Sequence, residues 1–177
     1  MAKVLINYGH RRPANSKFNR ALLDAVRDLP GVTVNELGER YPDFQIDGER
    51  ERQLLLSHDV IVLQFPFHWY HTPAILKEWQ DEVLAFGFAY GPGGDKLRGK
   101  SLQIAMTTGG PAESYQSGGY NRYTFEQLLL PLHATANLTG MEWLPPFVSA
   151  GVIRQTPEQT EADIAAYRQR ILELSQR

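Results

Sequence analysis

The sequence has no cysteine, no long apolar run and no excess of basic charge. Without cysteine there is no disulfide, no thiolate nucleophile and no sulfur-held metal, which rules out a disulfide-stapled secreted scaffold. No apolar run approaches the roughly 20 residues that a membrane helix requires. The first residues, MAKVLINYGH, carry one lysine and a short apolar stretch, without the longer apolar segment and small-residue cleavage site of an export signal. The expectation is a cytoplasmic protein, and the sequon at Asn137-Leu138-Thr139 is read as chance. A formal net charge of −2, with no Lys/Arg run beyond Arg11-Arg12, argues against nucleic acid as a partner. What remains is 177 residues, 42% hydrophobic and 21% charged, the proportions of an ordinary globular chain. That length predicts a single domain over residues 1–177 with a sizeable core.

Apolar spacing alternates between strand and helix periods along the chain. Val4-Leu5-Ile6 leads a short strand, and Phe18, Leu22, Val26 and Leu29 recur at helical spacing until Pro30-Gly31 stops them. Val32 to Leu37 alternates as a strand, and a helix is expected from about Glu49 to Ser57. Val60-Ile61-Val62-Leu63 is a β-branched run of the kind buried on both faces. Thr72-Pro73 reads as an N-cap with proline at the first helical position, before a stripe of Ile75, Leu76, Trp79 and Val83. Leu102 to Thr107 is another buried strand; then Phe125, Leu128, Leu129 and Leu132 mark a helix that Pro131 should kink or divide. Trp143-Leu144 and Phe147-Val148 bracket Pro145-Pro146, a fifth strand interrupted by a turn, and Thr156-Pro157-Glu158 opens a last helix. This βα alternation implies a three-layer α/β sandwich: a five-stranded parallel sheet of flavodoxin-like order 2-1-3-4-5, with ligands beyond the carboxyl ends of the strands.

One motif is a decoy. Gly94 to Ser101, GDKLRGKS, fits the phosphate-loop expression G-x-x-x-x-G-K-[ST]. A phosphate loop must leave a strand and open a helix; this stretch leaves the glycine-rich Gly87–Gly99 loop and enters a strand, at the wrong edge of the sheet.

Three loops do fall at the carboxyl ends of strands. His10–Asn19 offers His10, Asn15, Ser16 and Asn19 around a helix start, where unpaired N–H groups favour an anion; Asn15 or Ser16 could equally serve only as a cap. Gln64–Tyr70 carries Phe65, Phe67, Trp69 and Tyr70, a wall for a flat ligand, though one or two of these rings would fill the core instead. His68 and His71 lack a third metal ligand nearby, so no metal is assigned. Thr107–Tyr120 starts with small residues that let backbone N–H groups approach a ligand, with Tyr115 and Tyr120 able to close over it. Ser114 and Ser117 have no nucleophile elbow, so acyl transfer is unsupported.

QFPFHWYHTPAILKEWQDEVL, GFAYG and TTGG together resemble the flavin-dependent NAD(P)H:quinone oxidoreductases. YPDFQID, GPGGDKLRGK and MEWLPPF resemble its short bacterial members, the ancillary subunits of Kef-type potassium-efflux systems. The resemblance implies a flavodoxin-like homodimer holding FMN, with FAD as the alternative. It implies flavin contacts at His10, Ser16, Asn19, Phe67, His68, Trp69, Tyr70, Thr107, Thr108, Gly109 and Gly110. Tyr115 matches a tyrosine that assists hydride transfer, Tyr90 one that reaches across the dimer interface, and Tyr120 falls at the substrate face. Two positions depart from the family: Asn121 stands where Tyr115's partner histidine falls, and Arg11 replaces a proline. The implied activity is ping-pong reduction of a quinone by NADH or NADPH, the flavin bringing the reactivity and the protein its orientation. The alternatives are a flavin-loaded regulatory subunit docked on a potassium-efflux antiporter, peripheral at the inner membrane, and an electron carrier, which would show a more acidic face.

Overall fold

A computed structural model describes residues 1–177. The strands are β1 (Val4–Tyr8), β2 (Val32–Glu36), β3 (Val60–Pro66), β4 (Ser101–Thr107), β5 (Glu142–Trp143) and β6 (Phe147–Ser149). The helices are α1 (Phe18–Asp24), α2 (Leu37–Arg40), α3 (Gly48–Leu56), α4 (Ala74–Val83), α5 (Phe125–Leu128), α6 (Leu130–Thr139) and α7 (Pro157–Ser175). The sheet is parallel, in the order β2-β1-β3-β4-β5, with β6 also paired to β4. The expected order holds, but the sheet counts six strands where the sequence predicts five. Leu144-Pro145-Pro146 cannot sustain a ladder, because each proline lacks an N–H, so the fifth strand is split and both pieces pair with β4.

Alternate side chains of the central strands enter two apolar cores. Leu5, Ile61, Leu63, Phe65 and Ile104 pack against Leu55, Leu76, Trp79 and Leu132 on the α3–α4–α6 side. Val4, Ile6, Val60 and Val62 pack against Leu22, Leu23, Tyr167, Ile171 and Leu174 of α1 and α7. Every residue of β1, β3 and β4 is buried, and burial on both faces explains their mostly apolar sequences. The helix ends follow local chemistry. Asp47 caps α3 by accepting Arg50 N–H, and Thr124 and Thr156 form capping boxes with Gln127 and Gln159. Pro131 lies in the first turn of α6, and the expected helix is divided at Leu129. One cap was misplaced: Pro73, not Thr72, is the N-cap of α4, and the Thr72 hydroxyl pairs instead with His71 Nδ1 at 3.1 Å.

The decoy motif has a structural occupation of its own. Lys100 precedes β4 at the amino edge of the sheet, where its Nζ donates to His58 O at 2.6 Å and Leu56 O at 3.3 Å. It satisfies carbonyls at the end of α3, the end of a helix that favours a cation. Lys100→Ala should therefore lower stability by about 1 kcal/mol. Calorimetry should detect no ATP binding to either protein; ATP affinity lost in the variant would restore the phosphate-loop reading.

Candidate functional site

At the carboxyl edge of the sheet, the loops after β1, β3, β4 and β6 converge. They are laced together by backbone: Gly9 N–H donates to Gln64 O at 2.9 Å and Phe67 N–H to Thr107 O at 2.9 Å. Thr108 N–H donates to Ser149 O at 3.0 Å, Val152 N–H to Thr108 O at 3.0 Å and Gly151 N–H to Gly110 O at 2.8 Å. Between them lies a cleft of about 330 Å³ lined by His10, Asn15, Ser16, Lys17, Phe18, Asn19, Pro66, Phe67, His68, Thr107, Gly109, Val152 and Ile153. A second hollow of about 400 Å³ shares Gly109 and Ile153 with it and adds Gly110, Tyr115, Tyr120, Asn121 and Arg154.

The floor of the cleft is polar and buried. Asn19 Nδ2 donates to Thr107 Oγ1 at 2.7 Å, and Gln64 Nε2 donates to the Asn19 carbonyl at 2.8 Å. Tyr167 from α7 donates its hydroxyl to Gln64 Oε1 at 2.9 Å. Asn19 Oδ1 is buried with no partner within the protein, and Ser16 Oγ and the neighbouring Tyr8 hydroxyl are buried without a hydrogen bond of normal geometry. Because the Thr107 hydroxyl can donate as well as accept, a turned Asn19 amide would present two N–H donors to a ligand. A buried polar group left unpaired costs about 1–3 kcal/mol, so this floor fits a ligand with acceptor oxygens. α1 has only seven residues, so the anion site expected from a helix start rests on these side chains rather than on a long dipole.

His10 completes the floor. Arg12 N–H donates to His10 Nδ1 at 3.0 Å, which leaves the proton of the neutral ring on Nε2. Burial, and then the neighbouring His68, push the His10 pKa below the usual histidine value, so the ring is neutral at pH 7. Arg20 lies 5.6 Å over the Tyr8 ring but is held by Glu36 at 2.7 Å and Glu39 at 2.9 Å. The cleft's own cation is Lys17, which makes no ion pair.

Aromatic residues form the rim. Phe67 is buried and meets Tyr70 edge-on at 6.4 Å, while Phe65 is wholly in the core. Trp69 is 92% exposed, in a tight turn closed by His71 N–H donating to His68 O at 3.1 Å. Trp69 and Tyr70 take φ of +50° and +61°. Consecutive left-handed residues suit Asn-Gly; two aromatic rings there cost roughly 1–2 kcal/mol each. No group of three or more His, Asp or Glu side chains gathers where a metal ion could be held.

The third loop is placed by packing. Tyr115 stacks on Phe125 at 4.2 Å, and a Cβ on Gly110 would lie 3.4 Å from the Tyr115 hydroxyl. Burial raises the Tyr115 pKa, so it stays a phenol at neutral pH. Gly109 and Gly110 donate no backbone hydrogen bond within the protein. Thr108 is buried, its hydroxyl donating to Gly110 O at 2.8 Å, and so shapes the loop from behind.

Of the residues singled out in the sequence, the cleft itself brings together His10, Ser16, Asn19, Phe67, His68, Thr107 and Gly109. Gly110, Tyr115 and Tyr120 line the adjoining hollow. Trp69, Tyr70 and Tyr90 line neither cavity: the first two form an outer rim in the turn that follows His68, and Tyr90 packs edge-on to Phe86 at 5.7 Å. The sequence reading missed the loop after β6, where Ile153 is 79% exposed and sits over Gly109: a Cβ there would come 2.8 Å from Ile153 Cδ1. Its signal was topological, since every loop leaving a parallel strand at this edge faces the same crevice.

Two predictions arise here. His10 binds its proton less readily folded than unfolded, so it weakens the fold as pH falls below its unfolded value of about 6.5. Ligand-free protein should melt at lower temperature at pH 5.5 than at pH 7.5, and His10→Gln should shrink that difference; an unchanged difference would refute the assignment. Trp69→Gly should relieve strain and raise ligand-free stability by up to about 1 kcal/mol. A loss of stability on denaturant unfolding would show that the indole is packed rather than strained.

Comparison with known proteins agrees with this architecture. The family model described as flavodoxin-like fold matches residues 2–174. The glutathione-regulated potassium-efflux system ancillary protein KefG of Serratia proteamaculans is 47% identical over 165 residues, covering 93% of this chain and 90% of its own. A solved NADPH-quinone reductase from P. pentosaceus is 32% identical with a TM-score of 0.87, over 94% of this chain and 96% of that one. General stress protein 14 of Treponema denticola, solved with FMN, is 33% identical with a TM-score of 0.90, over 97% and 98%. A structure titled thermophilic tryptophan halogenase, from Streptomycin violaceusniger, is 40% identical with a TM-score of 0.93, over 96% and 98%. With β1 to β4 in flavodoxin order and a cleft at their carboxyl edge, this chain belongs to the flavodoxin-like fold family.

Proposed function

We propose that the protein is a flavin-dependent NAD(P)H:quinone oxidoreductase, with FMN as its cofactor and FAD as the alternative. The observation that carries this reading is one cleft with buried polar atoms at Ser16 and Asn19 left without a hydrogen bond, and a strained aromatic turn at Trp69-Tyr70 directly after its lining residue His68. A flat ring carrying a phosphate matches both halves. The names of the P. pentosaceus reductase and the FMN-bound Treponema denticola protein support it.

His10 Nε2–H, Ser16, the Asn19 amide and Lys17 would hold the phosphate. Phe67, His68, Trp69 and Tyr70 would bound the ring, with Thr107 to Gly110 along its edge. The bound flavin supplies hydride acceptance and return. The chain orients it and keeps water off one face; the free N–H groups of Gly109 and Gly110 meet developing negative charge. Tyr115 donates a hydrogen bond as a neutral phenol. NADH or NADPH and the quinone would use the open side in turn, near Tyr120, which is 91% exposed.

We further propose a homodimer. Phe86 and Tyr90 are 68% and 38% exposed, an apolar pair that a second copy would cover, bringing Tyr90 to the partner's cleft. A second reading follows from the name of the Serratia relative: a flavin-loaded regulatory subunit at the cytoplasmic face of a potassium-efflux antiporter, with redox activity secondary. No helix is long and apolar enough to cross a membrane.

FMN-loaded protein should oxidise NADH or NADPH with a soluble quinone and sediment as a dimer. Tyr90→Ala should raise the quinone KM about tenfold, the loss of one ring contact of about 1.4 kcal/mol, and leave FMN affinity unchanged. Absence of quinone turnover with both NADH and NADPH would overturn the enzyme reading, and a fully active monomer would overturn the shared site.

A further inference from the structure

The turn at Trp69-Tyr70 is strained, and something must hold it. Phe67 touches the Tyr70 ring from below, but a ring contact does not fix a backbone conformation. Its own backbone bond, His71 N–H to His68 O, closes it, and what ties it to another loop is a side-chain hydrogen bond: the Tyr70 hydroxyl donates to Asn121 Oδ1 at 2.8 Å. Asn121 belongs to a different loop, anchored by its own N–H donating to Ser114 O at 2.9 Å. No other side-chain hydrogen bond joins the turn at His68–His71 to the loop after β4. The Asn121 side chain also lies beside the Tyr115 hydroxyl, where it acts against the rise in pKa that burial causes. Asn121 and Tyr115 line the same hollow.

We propose that Asn121 is a positioning residue that clamps the Trp69-Tyr70 turn to the Tyr115 loop, so that both sides of the ring-binding face are held as one unit. The chemistry of the amide makes it suited to this. Its oxygen accepts from Tyr70 while its NH₂ remains free to donate toward Tyr115, and it carries no charge at any working pH. A histidine or carboxylate there would titrate; asparagine gives a clamp insensitive to pH. The ligand half of this inference rests on the flavin reading, whereas the clamp itself is a property of the ligand-free chain.

The test is a double-mutant cycle with Tyr70→Phe, which deletes only the hydroxyl, and Asn121→Ala, read in two ways. In ligand-free protein, each single variant should raise the unfolding equilibrium constant roughly threefold to tenfold, the size of one neutral hydrogen bond. The double variant should be no worse than the poorer single one. In FMN titrations both singles should weaken binding by a similar factor, again without adding in the double. Asn121→His should restore part of the binding and add a pH dependence near neutrality beyond the one the wild type shows through His10 and the phosphate. Additive effects in the unfolding cycle overturn the clamp. Wild-type protein that binds no FMN while the unfolding cycle still shows coupling would overturn the flavin reading alone and leave the clamp supported. Coupled unfolding with unchanged FMN affinity in every variant would overturn the positioning role.

Discussion

A glutamine buried in the middle of a parallel sheet constrains everything built at its edge. Gln64 has no solvent exposure, and its amide must find partners inside the protein. It finds them on the one face of the sheet that α1 and α7 cover: the Asn19 carbonyl in the first turn of α1 and the Tyr167 hydroxyl from α7. Each bond contributes only about 1 kcal/mol net, but losing one leaves a buried amide uncompensated at about 1–3 kcal/mol. α1 therefore cannot slide along β3, and Asn19 is delivered to Thr107 at the floor of the cleft. The binding edge inherits its geometry from the core, the condition for a preorganised polar site.

The rim follows the opposite logic. Trp69 and Tyr70 are held in conformations that side chains with a Cβ avoid, one of them almost fully in solvent. Stability alone would favour glycine in both places. Strain concentrated in an aromatic turn next to a cleft, beside an apolar core, is the distribution expected of a binding site. Fold likeness cannot carry this argument, since chains of the same shape are named for quinone reduction, a stress response and halogenation. Residues at the edge have to carry it.

Much of the architecture was legible in the sequence because its causes are local. Apolar runs marked β1, β3 and β4, the β-branched Val60–Val62 most clearly, and Thr-Pro-Glu marked the start of α7. Pro145-Pro146 showed where the last strand breaks, though not that both pieces pair with β4. The site was readable in parts for the same reason: loops at strand ends can be counted, and an aromatic cluster after a buried strand stands out. Thr72 misled, since a capping signature says nothing of the competing partner at His71. What stayed hidden depends on long-range pairs. Tyr167 is 103 positions from Gln64 and Asn121 is 51 from Tyr70, separations at which no spacing rule operates. Ile153 over Gly109 was missed because an exposed isoleucine in a loop has no pattern of its own.

The central claim is that the buried floor of the cleft recognises the phosphate of a flavin. Calorimetric affinities of FMN and riboflavin for the wild type and for Asn19→Leu test it most directly. FMN should bind at least about a hundredfold more tightly than riboflavin, as expected for one or two hydrogen bonds to a charged group, and Asn19→Leu should remove most of the difference. Equal affinity for the two flavins in the wild type would contradict it.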